Sequence, residues 1–313
     1  MHPNRSQQNY PLTKTGRNYR FRTRNYSSEI LPDVSEYAKQ LEDEEKSFET
    51  LLKVAIDVSV LLILCIVINV LFYRFMPIVR NGFFCNDTAI RLPFKKATFP
   101  WWPTILASLG AAILFTVIVE LCHYNGMKSP HRLGKWQIPG IVADTYKYVG
   151  LFLFGCGIDC LIVIVLQKTV GRLGPNFYDV CEPVSNRGIN CTSPEFILAY
   201  VSDFSCTNRK FAQDIITRAR QSFPSCLVAL VAYAATYVIF VLQYRWAFEF
   251  GCILKPMLQA SLAVSLIYIA SAQVTDNLHH WTDVAAGIAI GVSLASFMFF
   301  IAEDVYPLRK IMV

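Results

Sequence analysis

Six apolar runs, at about 54–73, 104–122, 148–166, 226–243, 257–271 and 284–301, leave this chain few folds to choose from. Most approach the roughly 20 residues that an α-helix needs to cross a hydrocarbon core ~30 Å thick. In lipid a backbone can satisfy its polar groups only within itself, so such runs become helices. The predicted fold class is therefore all-α: a polytopic membrane protein with six transmembrane helices and a long outer loop between helices 3 and 4. A composition of 54% hydrophobic and 17% charged residues agrees,. The fifth run is the shortest, and reaches span length only if Cys252 to Leu254 join it across Lys255-Pro256. No cleavable signal peptide is expected, because the first 50 residues are polar and lack an apolar core region,.

Residues 1–50 read as a disordered cytoplasmic tail, 51–306 as the membrane domain and 307–313 as a short cytoplasmic C-terminus. The tail carries Arg5, Lys14, Arg17, Arg20, Arg22 and Arg24 with no acid among them, then Glu42-Asp43-Glu44-Glu45. Such a basic arm suits an anionic cytoplasmic leaflet, or is simply solvated. The short loops divide Lys and Arg between both faces, so charge bias is a weak witness to orientation. Cysteines and glycosylation patterns decide it. Cys85, Cys181, Cys191 and Cys206 lie in the loops after spans one and three, which an even number of crossings places on one face. The same loops carry Asn86-Asp87-Thr88 and Asn190-Cys191-Thr192. An oxidising, glycosylating compartment explains both, with sugar at Asn86 and Asn190 and disulfides of open connectivity. That face is then extracellular or luminal, both termini are cytoplasmic, and the plasma membrane is the expected location. Cys65, Cys122, Cys156, Cys160 and Cys252, in or beside spans, read as packing residues,.

Two polar features interrupt the apolar background. Asp159 is mid-span, where a carboxylate is costly unless paired, protonated or turned inward; a buried structural hydrogen bond is the expectation and a transport role the alternative,. Asp276 to Asp283 lies between the last two runs, and His279-x-x-x-Asp283 would bring a carboxylate one turn back onto an imidazole,. That arrangement fixes a tautomer and readies a nucleophile or base, though Asp283 also suits a plain N-cap. Parity places this stretch on the same face as the end of span three, Gln167 to Pro175, and the start of span four, Arg220 to Leu227. Ser225 would cap span four, whose first free N–H groups suit a phosphate oxygen. No metal is expected, since the close His pair is adjacent in sequence and the loop cysteines fit disulfides better. No nucleic acid is implied by a net charge of +6 spread over tail and loops, and no cofactor is implied,.

Together these three segments resemble the lipid phosphate phosphatases, the type 2 phosphatidic acid phosphatase family, over roughly residues 50–305. The likeness rests on Gly171-Arg172-Leu173 with Pro175, on Ser222-Phe223-Pro224-Ser225, and on His279-His280-Trp281-Thr282-Asp283-Val284 with Gly287. It implies a nucleophilic His279 oriented by Asp283. It also implies departures: the family's first-motif arginine falls on Gly174 and its lysine on Gln167, with Lys168 one residue out of register. In the second motif Ser225 remains, glycine is Cys226 and the acid histidine is Leu227; the third motif's serine and arginine are Ala272 and Gln273.

Each lost cationic donor removes roughly 10²- to 10³-fold in rate. A lost general acid removes roughly 10²- to 10⁴-fold more. The resemblance therefore predicts a degenerate member, like the phospholipid phosphatase-related proteins. Such a protein would bind membrane lipids, lipid phosphates of the phosphatidate, lysophosphatidate and sphingosine 1-phosphate class, or partners including other family members in homo- or hetero-oligomers. Lys168, Arg172 and Ser225 are the candidate phosphate contacts. The alternative is a functioning phosphatase of reduced activity.

Overall fold

The computed structural model describes residues 31–70, 76–123, 131–133, 136–138, 140–186, 188, 191, 193–246 and 253–304. Residues 1–30 and 307–313 of the expected tails, and Asn190, lie outside the described residues. Eight helices are present among those described: α1 (Leu31–Val70), α2 (Trp101–His123), α3 (Gly140–Val170), α4 (Phe177–Cys181), α5 (Gln213–Ala219), α6 (Cys226–Arg245), α7 (Leu254–Thr275) and α8 (Trp281–Asp304). Six of them are long and apolar enough to cross a membrane, over Phe48–Ile68, Trp101–Cys122, Gly140–Val170, Cys226–Arg245, Leu254–Thr275 and Trp281–Glu303.

Two boundaries differ from expectation. Helix α1 begins at Leu31, so residues 31–50, expected as disordered tail, are helical. Their Glu-rich sequence favours helix,. Helix α7 starts at Leu254 and takes Lys255 and Pro256 into its first turn. There a backbone N–H would have no intrahelical partner in any case, so proline's lack of one does no damage and the short fifth run gains full span length,.

Helix α6 is the axis of the bundle, with most of its residues buried from Leu227 to Leu242. Its tightest neighbour is α8, whose Gly287 and Gly291 face the α6 backbone. A Cβ on Gly291 would come 2.3 Å from the Ala229 carbonyl oxygen and 2.7 Å from the Tyr233 nitrogen. Small residues permit this approach, which van der Waals packing and not the hydrophobic effect must hold in lipid. Gly291→Ala should therefore push α8 away and lower stability by roughly 1–3 kcal/mol, more than the ~1 kcal/mol of helix propensity it gains. Thermal unfolding in detergent checks this, with Gly110→Ala, whose Cβ meets nothing within 4 Å, as the control expected to lose nothing.

Towards the end of α6 away from the loops, Tyr148, Phe152, Tyr233, Tyr237 and Phe299 form an aromatic core. Tyr233 donates to the Phe152 carbonyl (3.0 Å) and Tyr237 to that of Tyr148 (2.8 Å). Arg245 closes that end with two bonds to Glu120, Nε to Oε1 at 2.8 Å and Nη2 to Oε2 at 2.7 Å, while lying over the Tyr148 ring. Asp159 is buried with both carboxylate oxygens unpartnered among the described residues, so the expected interhelical hydrogen bond is not formed.

At the opposite end the long loops build a covalently tied layer. Cys85 pairs with Cys191 and Cys181 with Cys206. The first bond joins the loop after α1 to the loop after α3, so the two share a face. Short antiparallel ribbons that the sequence did not suggest reinforce the layer: Phe83–Phe84 pairs with Tyr200–Val201, and Pro183–Ser185 with Phe204–Cys206. Phe83, Phe177, Val180 and Val201 fill its core.

Candidate functional site

Three segments meet beneath this layer. Gly171 ends α3 in the left-handed region at φ +55°, where its missing Cβ leaves room for the Val79 carbonyl, 2.4 Å from where that atom would sit,. The chain then turns so that the Arg172 carbonyl accepts from Ser222 N (2.9 Å), while Gly174 N donates to the Ala219 carbonyl (2.7 Å). A cis peptide between Phe223 and Pro224 leads to Ser225 at the N-cap of α6, and Ser225 N donates to the Asp283 carbonyl (3.1 Å). In the third segment the Gln273 carbonyl accepts from both Leu278 N and His279 N, each at 3.1 Å, and His280 Nε2 reaches the Leu173 carbonyl at 3.1 Å.

His279 Nδ1 lies 2.8 Å from the Ser222 carbonyl oxygen. A carbonyl can only accept, so Nδ1 carries the proton and Nε2 keeps its lone pair. Burial lowers the imidazole pKa below the ordinary histidine range, against the opposing pull of the Ser222 bond and the Asp283 charge, so the ring is neutral near pH 7,. This is the form a nucleophile or base requires.

The structure places Asp283 differently from the one-turn expectation. Its carboxylate, fully buried, accepts from Arg172 Nη1 (2.7 Å), Ser222 Oγ (2.6 Å) and His280 N (3.0 Å). It reaches His279 through Ser222, whose Oγ lies 3.3 Å from Nδ1. Ser222 is thus the residue that orients the imidazole, a role its place in Ser222-Phe223-Pro224-Ser225 did not reveal. Arg172 also bonds Thr282 Oγ1 (2.6 Å), and its charge is matched by Asp283. Lys168 Nζ donates to the Met76 carbonyl (3.0 Å), which ties it to the segment after α1.

Three neutral donors of these segments, Gln221 Nε2, Ser225 Oγ and Gln273 Nε2, are buried without partners among the described residues. Ser225 Oγ makes no capping bond, and neither it nor Gln273 Nε2 has a hydrogen-bond partner among the described residues. Val228 of α6 packs with Ala270 of α7 and Val284 of α8. Ser225 and Gln273 each lie one turn further toward the loops on those antiparallel helices, so they stand at one level beside His279. An unpaired buried polar group costs roughly 1–3 kcal/mol unless something binds it. Leu227 is buried at 4% exposure and offers no proton. A Cβ at Gly174 would lie 3.3 Å from the Ala219 carbonyl and 3.6 Å from that of Leu278, so position 174 borders the same site. Asn86 is exposed in a turn beside Cys85. Among the described residues no three His, Cys, Asp or Glu side chains gather as metal ligands would.

The family model described as PAP2 superfamily matches residues 148–306, which include all three segments. Phospholipid phosphatase 1 of Mus musculus is 30% identical over 260 residues, covering 81% of this chain and 85% of that protein. A putative phosphatidate phosphatase of Drosophila melanogaster is 29% identical, over 75% of this chain and 65% of its own length. Phospholipid phosphatase 2 of Rattus norvegicus is 28% identical, over 79% and 86%. The crystal structure of a transmembrane PAP2 type phosphatidylglycerolphosphate phosphatase from Bacillus subtilis overlaps at 16% identity, 67% of this chain and 88% of that one, with a TM-score of 0.32, too low to carry an argument.

Proposed function

Since this chain belongs to the PAP2 superfamily, and within it to the lipid phosphate phosphatases, we propose that it is a catalytically impaired member that captures lipid phosphates on its loop face. The observation that carries this reading is the pairing of what remains with what is gone. Ser225 Oγ and Gln273 Nε2 are buried without partners beside a neutral His279, while Arg172 is matched by Asp283 and Leu227 occupies the place of a proton donor. Neutral donors can hold phosphate oxygens, yet they stabilise the charge that develops during phosphoryl transfer poorly. Alkoxide departure without an acid is slow. Ligands of the phosphatidate, lysophosphatidate and sphingosine 1-phosphate class fit the site. The loop face is extracellular or luminal, with glycans on Asn86 and Asn190, cytoplasmic termini and residence in the plasma membrane.

The purified protein should release no measurable phosphate from any of these lipids yet retain phosphatidate. Ser225→Ala together with Gln273→Leu should weaken that retention roughly tenfold, the loss of one or two neutral hydrogen bonds. Sustained turnover that disappears in His279→Ala would overturn the proposal. One observation favours the second reading, a slow but working phosphatase: the protonated Nδ1 leaves Nε2 ready to attack. That reading requires an acid-labile phosphohistidine on His279 after incubation with radiolabelled substrate.

A further inference from the structure

Between α2 and α7, over a floor made by α6, runs an apolar cleft of about 440 Å³. Its walls carry small side chains on all three helices: Ala107 and Ala111 on α2, Ala234 and Ala235 on α6, Ser265 beside Leu266 on α7. Larger residues at these positions would close the seam, so the opening is written into the sequence and is not a packing fault. An apolar cleft of this size is unfavourable for water and, in a span, borders hydrocarbon.

Its dimensions match one leaflet. From Thr104 to Phe115 the α2 wall rises about 16 Å at 1.5 Å per residue,, half of a ~30 Å hydrocarbon core. At the loop end a short strap closes the top. Phe99 stacks edge-on against Tyr268, Thr98 N and Oγ1 bond the Asp276 carboxylate, and Lys95 Nζ donates to the Thr275 carbonyl. Lys95 and the exposed Lys96 therefore place two positive charges at the mouth of an apolar slot, at headgroup level,.

From this pairing of shape and charge we infer that the cleft holds one acyl chain of an anionic glycerophospholipid from the loop-face leaflet, with its headgroup against Lys95 and Lys96. The inference stands apart from the phosphate reading, because chain occupancy requires nothing of His279. The strap that closes the cleft is the same one that fixes Asp276, three residues before His279, so an entering chain presses on the segment bearing the imidazole.

The test uses the full chain in phosphatidylcholine nanodiscs doped with phosphatidylglycerol bearing a photoactivatable diazirine midway along one acyl chain. After irradiation, adducts should concentrate on residues 104–115, 231–238 and 262–269 at several times the density on α1. That helix has none of its apolar window buried and reports random lipid contact. Ala111→Phe and Ser265→Phe, at exposed lining positions where a larger ring is tolerated, should each lower cleft adducts several-fold and leave α1 labelling unchanged. Lys95→Ala with Lys96→Ala should abolish the preference for the phosphatidylglycerol probe over a phosphatidylcholine one. Equal labelling of α1 and the cleft, insensitivity to both phenylalanine variants, or an intermolecular disulfide formed in high yield by Ser265→Cys, which would place a second copy in the slot, each overturns the inference. The loss of phosphatidate retention caused by Ser225→Ala with Gln273→Leu is expected to be the same in the cleft variants as in the unmodified chain, so failure here and failure of the proposed function read out separately.

Discussion

Introducing Gly174→Arg, Leu227→His and Gln273→Arg together should raise phosphate release from phosphatidate by at least ~10²-fold over the unmodified chain, the smaller end of what one general acid contributes. The site already supplies the rest. His279 is neutral with its Nε2 lone pair kept, Ser222 holds its other nitrogen, and the three segments are joined by backbone hydrogen bonds. Gly174 borders the Leu278 carbonyl, and its Cβ needs the Ala219 carbonyl to yield by only a few tenths of an ångström. Gln273 already occupies the burial that the arginine would take, and two restored cations add roughly 10²-fold or more beyond the acid. Because such groups act as a unit, the single variants should each do little. Malachite-green assay of the purified triple variant, with His279→Ala added as control, reads the outcome. A well-folded triple variant that stays inert would show that these residues are not arranged for transfer.

The second large effect is on stability. Asp283→Ala removes a fully buried carboxylate that satisfies Arg172, Ser222 and the His280 amide at once. Deleting it leaves the buried Ser222 hydroxyl and the His280 amide without their acceptor, about 1–3 kcal/mol each, while Arg172, 39% exposed and still bonded to Thr282, turns to water at little cost,. Thermal unfolding in detergent should shift down sharply, whereas Asp283→Asn, which keeps the shape and some acceptors, should lose less. Adding Arg172→Met to Asp283→Ala should recover little, since the cation it removes is already solvated,. The same deletion removes a charge that raises the His279 pKa, so the imidazole midpoint moves further down and the ring stays neutral at pH 7. An unchanged midpoint together with an unchanged unfolding temperature would refute this account of Asp283.

What the sequence disclosed and what it hid follow from the range of the forces involved. Span length and hydropathy are local, so six helices and the shared face of Arg172, Ser225 and His279 were legible. Partnerships across the bundle were not. Glu120, near the end of a span, is buried against Arg245, 125 positions away, and nothing local announces that partner. The His279–Asp283 spacing pointed to a direct bond because helix geometry permits one. The loop before α8 instead turns His279 to the Ser222 carbonyl, and Arg172 claims the carboxylate. Pro256 shortened the fifth run on paper, whereas in the first turn of α7 it is harmless. Asp159 promised a partner that the described residues do not provide. Gln273 was visible only as a substitution, and its unpaired amide emerged once three helices were packed.

The Arg245–Glu120 clasp fastens α6 to α2 at one end of the bundle, whereas α2 and α7 stay parted nearer the loops, with alanine and serine among the side chains that line the gap. A body fixed at its foot and slit at its head behaves like a pair of tongs. A chain held in that gap would lie against the Thr98–Asp276 strap and well away from the Arg245 clasp.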